Sequence, residues 1–399
     1  MKILLVNKFY YPRGGDCICT IELEKLLIQQ GHEVAVFSMQ HPDNLPSEWS
    51  KYFPEEIDFS NPGKKNWIDF VFRPLGTNEV KRKFTQLIDD FDPDIVHLHN
   101  IHTQISPIVA KIAFERGIKV VWTLHDLKLL CPRYDCLRNG EQICERCFIS
   151  KKYVLKYSCM KNSLPASLLA YIEAVKWNKL KLEKYTHTFI CPSQFMYEKM
   201  IQGGFRKDKL KVLCNFIDAE KIKNCEVEHH RKDYYCYVGR ISGEKGIETL
   251  LQAAGQLPYT LKVVGNGVLL DELRGKYVSD NIEFLGYRQW SSIKSIVSNA
   301  RFIVIPSEWY ENNPLSVLEA QCLGTPVLGA NIGGIPELIN DENGVLFNVA
   351  DVTGLKEKIM MLFNDDSRGY NYEKIARDSK KQYSSENYYN QLMTIYQSI

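Results

Sequence analysis

Two cations five residues apart, Arg240 and Lys245, sit among three glycines in Val238-Gly239-Arg240-Ile241-Ser242-Gly243-Glu244-Lys245-Gly246. Converging on one diphosphate, such a pair would form a charge-assisted clamp, and the glycines would let backbone approach the ligand closely. Two carboxylates, Glu311 and Glu319, stand with seven residues between them in Ser307-Glu-Trp-Tyr-Glu311-Asn-Asn-Pro-Leu-Ser-Val-Leu-Glu319-Ala320. A wholly helical path between them would rise about 12 Å, which is too far for the roughly 5 Å carboxylate pair of a retaining glycosidase. They are expected instead to grip different parts of one long ligand. The backbone around Asn313, Pro314, Leu315 and Ser316 would face its phosphates, with Pro314 at the first helical position. Gly14 and Gly15, in Tyr11-Pro-Arg-Gly-Gly-Asp16, and Gly333-Gly334 offer two more close backbone approaches.

These loops need strands to carry them. Short apolar runs rich in Val, Ile and Leu recur at 3–6, 33–38, 94–98, 119–124, 187–192 and 211–214, and again at 235–238, 260–264, 282–285, 301–306, 325–329 and 344–347. Continuous rather than alternating runs imply strands buried on both faces, hence parallel sheets covered by helices. Two such series predict an α/β chain of two Rossmann-like, doubly wound domains, with ligands at the carboxyl ends of the strands. The polar stretch 216–232 reads as a linker between residues 1–215 and 233–375, and 376–399 as a terminal helix.

Composition narrows the function. The 399 residues carry 50 basic and 48 acidic groups, so no overall basic excess is available to neutralise a nucleic-acid backbone. No Gly-x-Gly-x-x-Gly or Walker motif occurs, which removes the main support for dinucleotide oxidoreductase and P-loop ATPase readings. No apolar stretch approaches 18 residues and the amino terminus does not read as a signal peptide. The expectation is a cytoplasmic protein, at most peripheral at the inner face of the plasma membrane.

Taken in order, Gly14-Gly15, His125-Asp126, Asn215-Phe-Ile-Asp218, Gly239-Arg240 with Lys245-Gly246, and Glu311 with Glu319 resemble the retaining GT-B glycosyltransferases of the family 4, or "group 1", type. The resemblance runs over nearly the whole chain. It implies two Rossmann-like domains facing a central cleft, an acceptor-binding first domain, a nucleotide-sugar-binding second domain, and a final helix that returns to the first. The implied reaction moves a sugar from a nucleotide diphosphate to an acceptor hydroxyl with anomeric configuration retained and no catalytic metal. Arg240 and Lys245 would hold the diphosphate, Glu319 the ribose, and Glu311 and His125 the donor sugar, while Gly14-Gly15 would approach the reaction centre. One departure is that Asn312-Asn313-Pro314 stands where many relatives have glycines. Two other readings are a non-catalytic sugar-nucleotide-binding partner of a transferase and a nucleotide-sugar epimerase of the same fold.

Five of the twelve cysteines fall in 29 residues: Cys131, Cys136, Cys144, Cys147 and Cys159. A structural zinc held by Cys131, Cys144, Cys147 and Cys159, a set of free thiols, and a redox pair all fit that spacing. Residues 146–184 carry nine basic against two acidic groups, interleaved with Tyr153, Leu155, Tyr157, Leu164, Leu168, Leu169, Tyr171 and Trp177. Cations beside apolar anchors suit an anionic membrane surface, each being worth on the order of 1 kcal/mol there. A solvated helix covering the core fits the same composition. With the membrane reading, the acceptor would be lipid-linked, as in surface polysaccharide biosynthesis.

Overall fold

The computed structural model describes residues 1–58, 71–140, 142–223, 225–364 and 369–399. They form two compact units, Met1–Cys214 with Tyr389–Ile399, and Asn215–Tyr388. The first unit is built on β1 (Lys2–Val6), β2 (Glu33–Phe37), β3 (Ile95–Leu98), β4 (Lys119–Thr123), a small hairpin of β5 (Leu137–Arg138) and β6 (Gln142–Ile143), then β7 (Thr188–Cys191) and β8 (Leu210–Val212). Its six-stranded sheet runs β2-β1-β3-β4-β7-β8, every pair parallel. The second unit carries β9 (Tyr234–Val238), β10 (Thr260–Val264), β11 (Ile282–Gly286), β12 (Ile303–Ile305), β13 (Val327–Ala330) and β14 (Gly344–Phe347). Its order is β11-β10-β9-β12-β13-β14, again parallel throughout. All twelve strands expected from the apolar runs are present, as two Rossmann-like sheets.

Ile3, Leu4, Leu5 and Val6 of β1 have no exposed surface, as a strand with helices on both faces requires. Phe37 and Phe84 meet edge to face at 5.1 Å behind the first sheet. In the second unit Tyr235, Phe302 and Phe363 form an aromatic cluster with centroids 5.3–5.9 Å apart.

Two boundaries differ from the sequence reading. Residues 216–232, apart from Asn224, which lies outside the described residues, are part of the second unit rather than a free linker. Ile217 bridges Ser384 and Lys232 bridges Ala300, so backbone pairing fixes both ends of this polar stretch. The segment 376–399 is not one helix but parts of two, Tyr372–Gln382 and Ser385–Gln397. Tyr388 packs on Phe216 within the second unit, and only Tyr389–Ile399 belong to the first.

The first unit holds that end through polar contacts. His97, fully buried in β3, is bonded at Nδ1 to Tyr396 Oη at 2.7 Å and at Nε2 to Thr123 Oγ1 at 2.8 Å. Burial, reinforced by His125, pushes its pKa down from 6.5 to about 3. An unfolded chain takes a proton on this ring near 6.5 and the folded chain only near 3. Its contribution is therefore complete above 6.5 and is lost by about 1.4 kcal/mol per pH unit as pH falls through that window. In His97→Asn, the slope of unfolding free energy against pH should drop by one proton's worth between about pH 6 and 4. An unchanged slope in urea titrations would contradict the assignment.

Candidate active-site residues

In the first unit, chemistry gathers past the ends of β1, β3 and β4. Gly14 precedes the helix Gly15–Gln29 in an extended conformation open to any residue, so what glycine offers here is the missing side chain. Asp16, in that helix's first turn, accepts from Asn100 Nδ2 at 3.0 Å. Desolvation would raise its pKa, but His125, Lys8 and the Asn100 amide outweigh this and hold the carboxyl below its ordinary range. Lys8 has its pKa lowered by burial against the pull of Asp126 and Asp16, and burial raises that of Asp126. His125 Nε2 lies 2.9 Å from His99 Nδ1, and the two rings are stacked. Burial lowers the pKa of both. The pair is therefore neutral imidazole, one ring donating to the other.

The structure thus joins Gly14, Gly15 and His125, which sequence reasoning chose, to Lys8, Asp16, Asn100 and His99, which it did not assign to a site. The available signal was position: Lys8 is two residues past β1, and His99 and Asn100 directly follow β3, where open α/β sheets place ligands.

In the second unit, the loop after β9 carries Arg240, whose Nη2 donates to Glu244 Oε1 at 2.6 Å and whose Nε reaches Ser242 Oγ at 3.2 Å. Lys245 Nζ donates to Glu311 Oε1 at 2.6 Å and lies over the Trp309 ring. The same oxygen accepts from Ser307 Oγ at 2.7 Å and Trp309 Nε1 at 2.9 Å. Burial alone would raise the Glu311 pKa; Lys245, with Trp309 and Ser307, reverses this and keeps the carboxylate ionised. Glu319 pairs with a different cation, Lys221, at 3.3 Å. Each expected site charge therefore already has an opposite partner, and the two carboxylates belong to separate ion pairs.

Three details revise the sequence picture. The segment between Glu311 and Glu319 is not wholly helical. Its helix is Leu315–Cys322, with Pro314 as the capping residue just outside it rather than the first helical position. The Asn313 side chain is turned inward: its Oδ1 accepts from Asn215 N, while Asn215 Nδ2 donates to Asn313 O, both at 3.0 Å. It braces the loop, leaving Leu315 and Ser316 to open the helix.

The cysteine segment gathers thiols around Cys131 and includes Cys136, which the expected zinc set left out. Among the described residues no His, Cys, Asp or Glu group is placed to hold a metal ion as it stands, while Cys159 interacts with both Cys131 and Cys144. Cys131 Sγ interacts with the thiols of Cys136 and Cys147 and with the backbone N–H groups of Arg133 and Cys136, which lower its pKa well below the ordinary value. Cys144 remains half-buried, its N–H donating to Cys136 O at 2.7 Å. None of the twelve cysteines is in a disulfide.

Two parallel-sheet units with polar clusters at their strand ends are the architecture of a GT-B glycosyltransferase, and comparison with known proteins gives the family. The "Glycosyltransferase Family 4" model matches residues 14–221 and the "Glycosyl transferases group 1" model residues 218–382. The chain belongs to this family of glycosyltransferases. It is 23% identical to the N-acetyl-alpha-D-glucosaminyl L-malate synthase of Bacillus anthracis over 100% of this chain and 98% of that one. A 42.6 kDa protein in the cps region of Klebsiella pneumoniae is 26% identical, covering 85% and 87% of the two chains. Among solved structures, Anabaena HepE in complex with UDP and glucose superposes with a TM-score of 0.68 at 18% identity, over the full length of both chains.

Gly333 supports Glu311 from behind. Its φ is +60°, and a Cβ there would lie 2.2 Å from Glu311 O, while the neighbouring Gly334 N–H donates to that same oxygen at 2.7 Å. Gly333→Ala should displace the Glu311 backbone and cost about 1–3 kcal/mol. Thermal unfolding, with Trp309 emission reporting on the carboxylate it touches, checks this; an unshifted melting temperature and spectrum would refute it.

Proposed function

We propose that the chain is a retaining transferase that moves a sugar from a nucleotide-diphosphate sugar to an acceptor hydroxyl without a catalytic metal. In this reading the acceptor is a lipid-linked or growing saccharide in surface polysaccharide biosynthesis. The observation that carries it is the Lys245–Glu311 pair at the carboxyl end of β9, with Arg240 on the same loop. An ionised, buried carboxylate with three donors is suited to accept from sugar hydroxyls. The two cations suit the negative charge that gathers on a departing diphosphate.

His125, neutral and held by His99, can accept from or donate to a sugar hydroxyl without adding charge. Gly14 leaves room for the donor at the amino end of its helix. The UDP and glucose bound by HepE support a nucleoside-diphosphate donor, and the cps-region relative supports polysaccharide synthesis.

A screen of UDP, GDP, ADP and CMP sugars by thermal shift and hydrolysis should identify one preferred donor, and NMR of the product should show the donor's anomeric configuration. Arg240→Ala is expected to weaken nucleotide-diphosphate binding about 10- to 100-fold, the worth of one or two charged hydrogen bonds. Glu311→Gln should abolish transfer while leaving the nucleotide bound. No binding by calorimetry, or an Arg240→Ala protein that binds normally, would overturn the donor assignment; an inverted product would overturn retention.

A further inference from the structure

The segment 146–184 acquires a definite face once folded. On the helix Leu164–Lys176, Ser167, Ala170 and Glu173 are buried, while Leu164, Leu168, Ile172 and Val175 are 42–59% exposed. Those four positions, spaced by four, four and three residues, share one side of an α-helix. Here the apolar side faces outward. Ile149, 90% exposed, and Leu180, 74% exposed, extend the set beyond the helix. Isolated exposed apolar residues are ordinary, but a stripe of this kind marks an interaction surface.

Charge settles what kind of surface. Arg146, Lys152, Lys156, Lys161, Lys181 and Lys184 are exposed within the same segment. Its two acidic groups are turned inward: Glu173 is ion-paired with Lys128 at 2.9 Å, both nearly fully buried, and Glu183 accepts from Arg206 N at 2.7 Å. The outer face therefore offers cations and hydrocarbon with no carboxylate of its own. In the same segment Tyr153 and Tyr157, half-buried against Cys147, Val154 and Cys159, stack with Arg146 and Lys156 over their rings, an aromatic pair of the type that settles at a membrane–water interface.

Behind the stripe lies a cavity of about 390 Å³ within the first unit. Exposed Ile149 and Val175 line it together with Leu129, Leu130, Phe148 and Trp177, and so do Lys128, Lys151, Lys179 and Glu173, which make its wall partly charged. Among the described residues no helix is long and apolar enough to cross a membrane.

We infer that this face docks the first unit on an anionic phospholipid bilayer. The lysines meet the lipid phosphates, and Leu164, Leu168, Ile172, Val175, Ile149 and Leu180 enter the acyl boundary. Docking does not depend on the donor chemistry, so the membrane test and the donor screen fail independently.

The test is flotation of the full chain with vesicles of phosphatidylglycerol and phosphatidylcholine, or of phosphatidylcholine alone. Recovery should be at least tenfold higher with the anionic vesicles and should fall as salt rises. The Leu168→Glu/Ile172→Glu protein should lose flotation while keeping its far-ultraviolet spectrum and its nucleotide-induced thermal shift. As those positions are already exposed, folding should survive; Leu168→Ser/Ile172→Ser, a milder change, should lose most of the recovery as well. Equal recovery from both vesicle types, undiminished flotation of both variants, or a stripe-dependent dimer in light scattering that does not float would overturn the docking face.

Discussion

Parallel strands buried on both faces are the constraint from which the rest follows. Such strands tolerate little but Val, Ile, Leu and aromatic side chains, so charge and hydrogen-bonding capacity are displaced to the loops at their carboxyl ends. Lys8, Asp16, Asn100 and His125 collect there in the first unit, and Arg240, Lys245 and Glu311 in the second. The instructive exception is His97, which sits inside β3. Its buried imidazole has a partner at each nitrogen, one from the neighbouring strand and one in Tyr396. A single polar residue in the sheet thereby ties the chain's last turns to the first unit.

Carboxylates and imidazoles meet desolvation differently in the two clusters. A carboxylate such as Glu311 stays ionised because a cation and two neutral donors converge on one oxygen, offsetting the loss of water. The imidazoles of His99 and His125 have no such compensation close enough to prevail over burial, so they remain neutral and bond to each other. Both units thus present charge, Glu311 with Lys245 in the second and Asp16 beside Lys8 in the first, and the first adds the His99–His125 imidazoles as hydrogen-bonding groups of either polarity. A reaction that gathers negative charge on a leaving group while handling sugar hydroxyls needs both kinds.

The strands were legible because a double-sided burial requirement writes itself as an unbroken apolar run, and the loops after them followed from parallel topology. Partners were less legible. Asn313 braces Asn215 and Glu319 takes Lys221, each pair 98 residues apart in the chain, and such pairings arise from sheet order, which local spacing does not encode. The same holds for Cys136: a Cys-x-x-Cys spacing drew attention to Cys144, yet the fold brings Cys136 to Cys131. Trp177 looked like an exposed anchor among lysines, but its indole donates to Pro74 O inside the first unit. Aromatic content in a basic segment does not say which side of the helix faces in.

Net charge illustrates how far a sum can mislead. The formal +2 is composed of +7 over residues 1–215 and −5 over 216–399, and residues 146–184 alone account for +7. Even that local sum understates the outer surface, because Glu173 and Glu183 are buried against partners elsewhere in the first unit. Burying a carboxylate is costly unless a cation or N–H comes with it, so Lys128 is drawn inward with Glu173 and is removed from the surface as well. What remains outside is a set of unopposed cations beside a hydrocarbon stripe. Its character is decided by which acids the core takes in, and neither composition nor charge counting along the chain records that choice.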